Sequence, residues 1–250
     1  MDGVLSQEEI NALLNNNDAA DSSDEILTES EKDAIGEIAN ISMGTAATTL
    51  FSLVNRRVEI STPVVSFSNW DKIVDEYEKP CVFIKIGYTQ GLNGSNILVL
   101  KEKDVKIITD LMMGGDGTNI NGEIGELHLS AISEAMNQMM GSSATSLSSM
   151  LNRTIDISPP IAEVVDLKNT LNEGEIDSFL SEEFVKISFH MEIGDLVDSE
   201  IMQLYPPAFV KEMCKGVSQN MELDTQSVTE DVPQSSNTAT QAAPIQQPQD

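Results

Sequence analysis

Asp33-Ala34-Ile35-Gly36-Glu37-Ile38-Ala39-Asn40 and, 97 residues later, Ser130-Ala131-Ile132-Ser133-Glu134-Ala135-Met136-Asn137 carry one pattern twice. Three residues separate the first position from the glutamate, two separate the glutamate from the asparagine, and twenty-two separate the asparagine from a proline, Pro63 or Pro160. On a helix turning by ~100° per residue, Asp33, Glu37, Asn40 and Gly44 fall within a stripe ~60° wide. Ile35, Ile38, Ala39, Ser42, Ala46 and Leu50 occupy the opposite side. The second copy divides likewise, with Ser130, Glu134, Asn137 and Gly141 on one stripe and Ile132, Ala135, Met136, Met139 and Leu147 on the other. A helix needed only for packing must keep its apolar face, but has no reason to repeat its polar residues at the same offsets. Asparagine is also a mediocre helix former and an unusual filler in mid-helix. The repeat therefore points to paired functional sites. Gly44 and Gly141 admit two readings: close approach of another protein, or relief of crowding where helices meet.

Outward from these stripes the likeness continues, through Glu29/Glu126, Met43/Met140, Ala47/Ala144, Leu50/Leu147, Asn55/Asn152, Arg56/Arg153 and Ile60/Ile157. The body is an internal duplication. Alternation over Val58–Phe67 and Val82–Tyr88 predicts strands with one face buried. Strand-like runs and a short helix follow each copy: Cys81–Tyr88, Asn96–Leu100 and Asp104–Met113 in the first half, Glu183–Met191, Ser199–Leu204 and Pro207–Lys215 in the second. Half a sheet is too small to stand alone. The expected fold is thus α+β, a single pseudo-twofold domain. Its mainly antiparallel sheet of about six strands is covered by two long helices plus short helices.

The chain has 250 residues, of which 40% are hydrophobic but only 4% aromatic, so its core must be aliphatic. Fourteen basic and 41 acidic residues give a net charge of -27. Such a field repels a phosphate backbone and argues against nucleic-acid binding. It suits either plain solubility or a basic partner surface. Two cysteines, Cys81 and Cys214, form no disulfide framework, and two distant histidines, His128 and His190, give a metal site little support. No signal peptide or membrane-spanning run is visible, which reads as a cytoplasmic protein.

Four regions are expected. Residues 1–14 form an amphipathic segment, and Leu5, Ile10, Leu13 and Leu14 align when it is helical. Residues 15–24 read as a flexible linker. Residues 25–216 form the folded body, in halves of about 25–120 and 121–216. From Val217 to residue 250 the Gln, Ser, Thr and Pro content predicts a disordered tail, as in a chain that continues into another domain.

An acid plus an amide, without a nucleophile, a metal set or a suitable base, is a thin catalytic kit. It suffices if the substrate carries a labile bond and lacks only an oriented water, which a carboxamide holds through one donor and one acceptor. The glutamine of GTP-hydrolysing switches works in this way.

The doubled motif D/S-x3-E-x2-N-x22-P resembles that of the CheC/CheX/FliY phosphatases of bacterial chemotaxis, over roughly residues 26–216. The resemblance implies hydrolysis of the aspartyl phosphate of a phosphorylated CheY-type response regulator at two pseudo-equivalent sites. Glu37 and Glu134 would pair with a lysine of the regulator, and Asn40 and Asn137 would align water for in-line attack. Asp33, Ser130, Pro63 and Pro160 would support the site. No cofactor belongs to this chain, since magnesium would reside in the regulator. The segment Leu5-Ser6-Gln7-Glu8-Glu9-Ile10-Asn11-Ala12-Leu13-Leu14 resembles the one by which the flagellar switch proteins FliM and FliY recognise phosphorylated CheY. That likeness implies a place at the cytoplasmic face of the flagellar basal body, beside FliM and FliG. Members of this branch end in a FliN-like domain, which does not follow Val217 here, so motor assembly is not implied for these residues alone. Two other readings stay open: the segment docks on its own body, or the chain is a non-catalytic switch adaptor that binds phosphorylated CheY through it.

Overall fold

A computed structural model describes residues 26–76, 80–167, 174 and 176–217. The expected regulator-binding residues Leu5, Ser6, Gln7, Glu8, Glu9, Ile10, Leu13 and Leu14, the linker, and the tail after residue 217 lie outside the described residues.

Two 26-residue helices, α1 (Glu29–Val54) and α4 (Glu126–Leu151), correspond to the two sequence copies. Thr28 caps α1: its hydroxyl accepts from the Glu31 amide at 3.2 Å while the Glu31 carboxylate accepts from the Thr28 amide at 2.9 Å. At α4 the Gly125 amide donates to His128 Nδ1 at 3.2 Å. Both helices stop at an asparagine in the left-handed region, Asn55 at φ 48° and Asn152 at φ 47°. Asparagine tolerates that conformation better than other non-glycine residues, which accounts for one of the repeated identities.

The other elements are β1 (Val58–Ile60), β2 (Val64–Ser68), α2 (Trp70–Glu76), β3 (Cys81–Gln90), β4 (Gly94–Lys101) and α3 (Glu102–Met112). After α4 come β5 (Asp156–Ile157), β6 (Ile161–Val165), a 3-10 turn (Ser178–Ser181), β7 (Phe184–Ile193) and β8 (Val197–Tyr205). A last helix, α5, covers 207–217. Val217 is therefore still helical and packs on the core.

One antiparallel sheet runs in the order β1-β7-β8-β4-β3-β5, with β2 also on β7 and β6 also on β3. Its eight strand segments lie on six tracks. The expected continuous strand over Val58–Phe67 is broken at 61–63, and its counterpart at 158–160. Proline has no amide hydrogen to give to a ladder, so Pro63 and Pro160 interrupt the two edge tracks where they stand.

The halves interlock. Edge strands β1 and β2 pair with β7 of the second half, Val58 opposite Ile193 and Val64 opposite Ser188. Edge strands β5 and β6 pair with β3 of the first half, Ile157 opposite Tyr88 and Val165 opposite Cys81. The hairpins meet in the centre through β4 and β8, Leu98 opposite Gln203. Val82, Ile84, Ile86, Ile187 and Phe189 face the long helices and build the main core, as do Ile35, Leu50, Ile132 and Leu147 from the helix side. On the other face Trp70, Ile73, Phe83, Leu180 and Phe184 form a smaller cluster. All eleven apolar-side residues expected from the two helical stripes are buried.

Because each half borrows its edge strands from the other, residues 1–120 and 121–250 expressed separately are expected to show no native sheet signal by circular dichroism. Mixing them is expected to restore it.

Candidate functional site

Helices α1 and α4 lie side by side and antiparallel, joined by two symmetric hydroxyl pairs. Thr45 Oγ1 and Ser146 Oγ are 2.7 Å apart, and Thr49 Oγ1 and Ser142 Oγ 2.6 Å. The pseudo-twofold axis passes between these bonds, near Ala47 and Ala144. Each long helix thus has three faces: one on the sheet, one on its neighbour, and one facing outward. The outward face carries the stripe.

Asp33 and Glu37 are exposed on α1, and Asn40 is half-buried. Gly36, Glu37 and Asn40 line a cleft of about 390 Å³ whose other wall is Thr62, Pro63 and Val65, at the break between β1 and β2. The structure therefore brings Asp33, Glu37, Asn40 and Pro63 to one place, although 22 residues separate the last two. Glu29 and Lys32 complete the cleft. Lys32 pairs with Glu29 and stands 5.2 Å from the centre of the Phe67 ring.

In the second half Ser130 and Glu134 are exposed, Asn137 is half-buried and Pro160 is buried in the matching break between β5 and β6, which pack on α4. Among the described residues neither asparagine carboxamide has a hydrogen-bond partner, so both keep their donors and acceptor for a visitor. Glu134 accepts from Gln138 Nε2 at 2.7 Å, whereas Ile41 stands at the equivalent position of α1. Asn40 and Asn137 each precede the helix crossing by seven residues. In antiparallel helices rising 1.5 Å per residue this sets them roughly 20 Å apart along the axes, as two separate sites.

Gly44 and Gly141 sit one turn beyond the asparagines. A Cβ placed on either would meet nothing within 4 Å. That removes the crowding explanation. Each glycine costs the helix ~0.5–1 kcal/mol relative to alanine and returns no packing within the chain.

Among the described residues the thiols and the metal-ligating side chains form no rival centre. Cys81 and Cys214 are buried thiols, and burial pushes each up to about 11, far from a reactive thiolate at neutral pH. Among the described residues no group of three His, Cys, Asp or Glu side chains is arranged to hold a metal ion. Asp104, in the first turn of α3, is buried with Oδ2 unpartnered. Burial raises its pKa and outweighs the opposing effects of the nearby Ser199 hydroxyl and of Lys101 and Lys103.

The stripe was legible from helical periodicity. The cleft partners Lys32, Thr62 and Val65 are not marked by the repeated motif. Phe51 was also missed, although its wheel position coincides with that of Asp33 and signalled that the stripe runs on.

The CheC-like family model matches residues 31–67 and 127–164, the two motif copies. The chain is 47% identical over 218 residues to the flagellar motor switch phosphatase FliY of Bacillus subtilis strain 168, covering 85% of this chain and 57% of that protein. It is 24% identical over 143 residues to the CheY-P phosphatase CheC of the same organism, covering 55% of this chain and 67% of that one. Among solved structures, Thermotoga maritima FliY superposes with a TM-score of 0.71 at 42% identity, covering 78% of this chain and 99% of that chain. Fold, doubled motif and these likenesses agree: the chain belongs to the CheC-like family, which includes FliY. It spans just over half the length of its Bacillus FliY relative.

Two stability predictions follow from the geometry. Gly44→Ala and Gly141→Ala are each expected to stabilise the fold by ~0.5–1 kcal/mol, read as a rise in melting temperature. Asp104→Asn is expected to stabilise the protein at neutral pH, because a raised folded-state pKa means that stability is lost as pH rises through it. The advantage should close as pH falls below ~4, where the unfolded-state aspartate is also protonated. Denaturation midpoints measured against pH check this.

Proposed function

We propose that this chain hydrolyses the aspartyl phosphate of a CheY-type response regulator, at two sites, in the cytoplasm at the flagellar switch. One observation carries the reading: both long helices present a half-buried carboxamide beside an exposed glutamate, at the same register, on their outward faces. The names of the FliY and CheC relatives support it. Among the described residues no helix is long and apolar enough to cross a membrane.

In this mechanism Asn40 or Asn137 enters the regulator's active site and holds a water through its carbonyl and amide groups, aligned with the phosphorus–oxygen bond that breaks. The water oxygen bonds to phosphorus as the aspartyl oxygen leaves, giving free aspartate and inorganic phosphate. Glu37 and Glu134 pair with a lysine beside the regulator's phosphorylated aspartate. Magnesium belongs to the regulator, where it offsets charge on the phosphoryl group. Asp33 and Ser130 flank the point of entry, while Pro63 and Pro160 hold the strand breaks open. Residues 1–14 capture the phosphorylated regulator and raise its local concentration.

The test is the rate of acyl-phosphate loss from a phosphorylated CheY-type protein. Asn40→Ala and Asn137→Ala each remove one site's contribution, and the double variant is expected to fall ~10²–10³-fold. Glu37→Ala with Glu134→Ala acts more gently, because an exposed ion pair contributes only ~0–1 kcal/mol. A double asparagine variant with full activity would sink the mechanism. Deleting residues 1–14 is expected to slow turnover without abolishing it. Complete loss of interaction would instead favour a non-catalytic adaptor.

A further inference from the structure

The stripe on α1 does not end at Asn40. Past it lies Gly44, and beyond Gly44 a second cleft of about 490 Å³, lined by Gly44, Ala47, Thr48 and Phe51 from the helix and by Val58, Glu59 and Ile60 from β1. Together with the cleft at Asn40 it makes a groove between α1 and the edge track of the sheet. From Asp33 to Phe51 the helix runs about 27 Å at 1.5 Å per residue.

Phe51 closes this groove. It is 48% exposed, and of the seven phenylalanines in the chain it alone falls in the exposed class. Its counterpart in α4 is Ser148, whose hydroxyl is committed inside the fold, accepting from the Ile155 amide at 2.9 Å. The first site is thus extended by an aromatic side chain where the second has a serine.

We propose that the regulator acted on at Asn40 docks along this groove, its surface seated against the bare helix at Gly44 and anchored by Phe51. The assignment rests on the phosphatase reading above and names how that substrate is held. A protein substrate engages roughly 800 Å² of each partner in a stable complex, far more than one glutamate and one asparagine offer. The second cleft follows the Asn40 cleft along the same helix face, so a partner whose active site reaches Asn40 also lies over Gly44. The unexplained glycine then has a role: a side chain there would push the partner away. Phe51 has the features of an interface anchor, a rigid aromatic side chain beside a pocket, about 16 Å along the helix from Asn40.

The test uses the full chain carrying Asn137→Ala, so that only the first site turns over. Dephosphorylation of a phosphorylated CheY-type regulator is followed across regulator concentrations, beside thermal melts. Phe51→Ser is expected to raise KM about tenfold, the change expected of a modest anchor residue, with kcat and Tm essentially unmoved. Gly44→Leu is expected to lower kcat/KM about tenfold while Tm does not fall, a split that a purely structural role would not give. Met113→Ser, which removes a side chain of similar exposure on α3's far end, should leave turnover and KM unchanged. An unaltered KM in Phe51→Ser overturns the proposal, as does a first site with no turnover in the Asn137→Ala background. Full turnover in Asn40→Ala with Asn137→Ala overturns the phosphatase reading instead. That result appears before any groove residue is changed.

Discussion

Each half of this molecule finds the hydrogen-bond partners for its edge strands in the other half, and the geometry of both sites depends on that exchange. Strands β1 and β2 pair with β7, and β5 and β6 with β3. The wall of the Asn40 cleft is the break between β1 and β2, so second-half backbone holds the wall while first-half helix supplies the acid and the amide. Moving the β1–β2 wall away from α1 would require breaking the ladder on β7. Buried backbone groups left unpaired in that way are costly. The strand pairing therefore stiffens the wall of the site.

The same economy governs the contact between the long helices. Where a coiled coil would place leucines, α1 and α4 place hydroxyls, Thr45 and Thr49 against Ser146 and Ser142. Several of these hydroxyls also reach a carbonyl one turn back, Thr45 to Ile41 at 3.2 Å and Ser142 to Gln138 at 3.1 Å. They are satisfied without water, and small side chains let the helices approach closely. Most large apolar residues are kept for the sheet side, which explains why a helix so rich in Ser, Thr, Ala and Gly still builds a core. The remaining face is left for the stripe.

Much of this was legible because local rules suffice for it. Periodicity alone sorted Ile35, Ile38 and Leu50 from Asp33, Glu37 and Asn40, and the fixed offset of 97 exposed the duplication. The interlocking was not legible, since exchanging which hairpin receives which edge strand leaves every hydrophobic pattern unchanged. The break at Pro63 was hidden for a related reason: a proline in an alternating run preserves the alternation and removes only a hydrogen bond. Helix α2 buries just Trp70 and Ile73, too few positions to mark a period. Lys32 and Val65 meet at the cleft through pairings distant in sequence, which no local pattern records.

Comparison of the two copies separates structural from outward-facing demands. Asn55 and Asn152 keep the left-handed caps, Ala47 and Ala144 the helix crossing, and Pro63 and Pro160 the strand breaks. For these, the fold itself is a sufficient reason. Other positions of the two helices have diverged, Lys32 to Leu129, Ile41 to Gln138 and Phe51 to Ser148. Glutamate, asparagine and glycine on the stripe belong to neither group. They face outward, the two amides and two glycines meet no internal partner among the described residues, and yet they are the same in both halves. A solvated surface does not require that identity and packing does not reward it. What they have in common is availability to a second molecule, the one the proposed function supplies, and the divergence of Phe51 from Ser148 beside them would let that molecule meet the two sites on unequal terms.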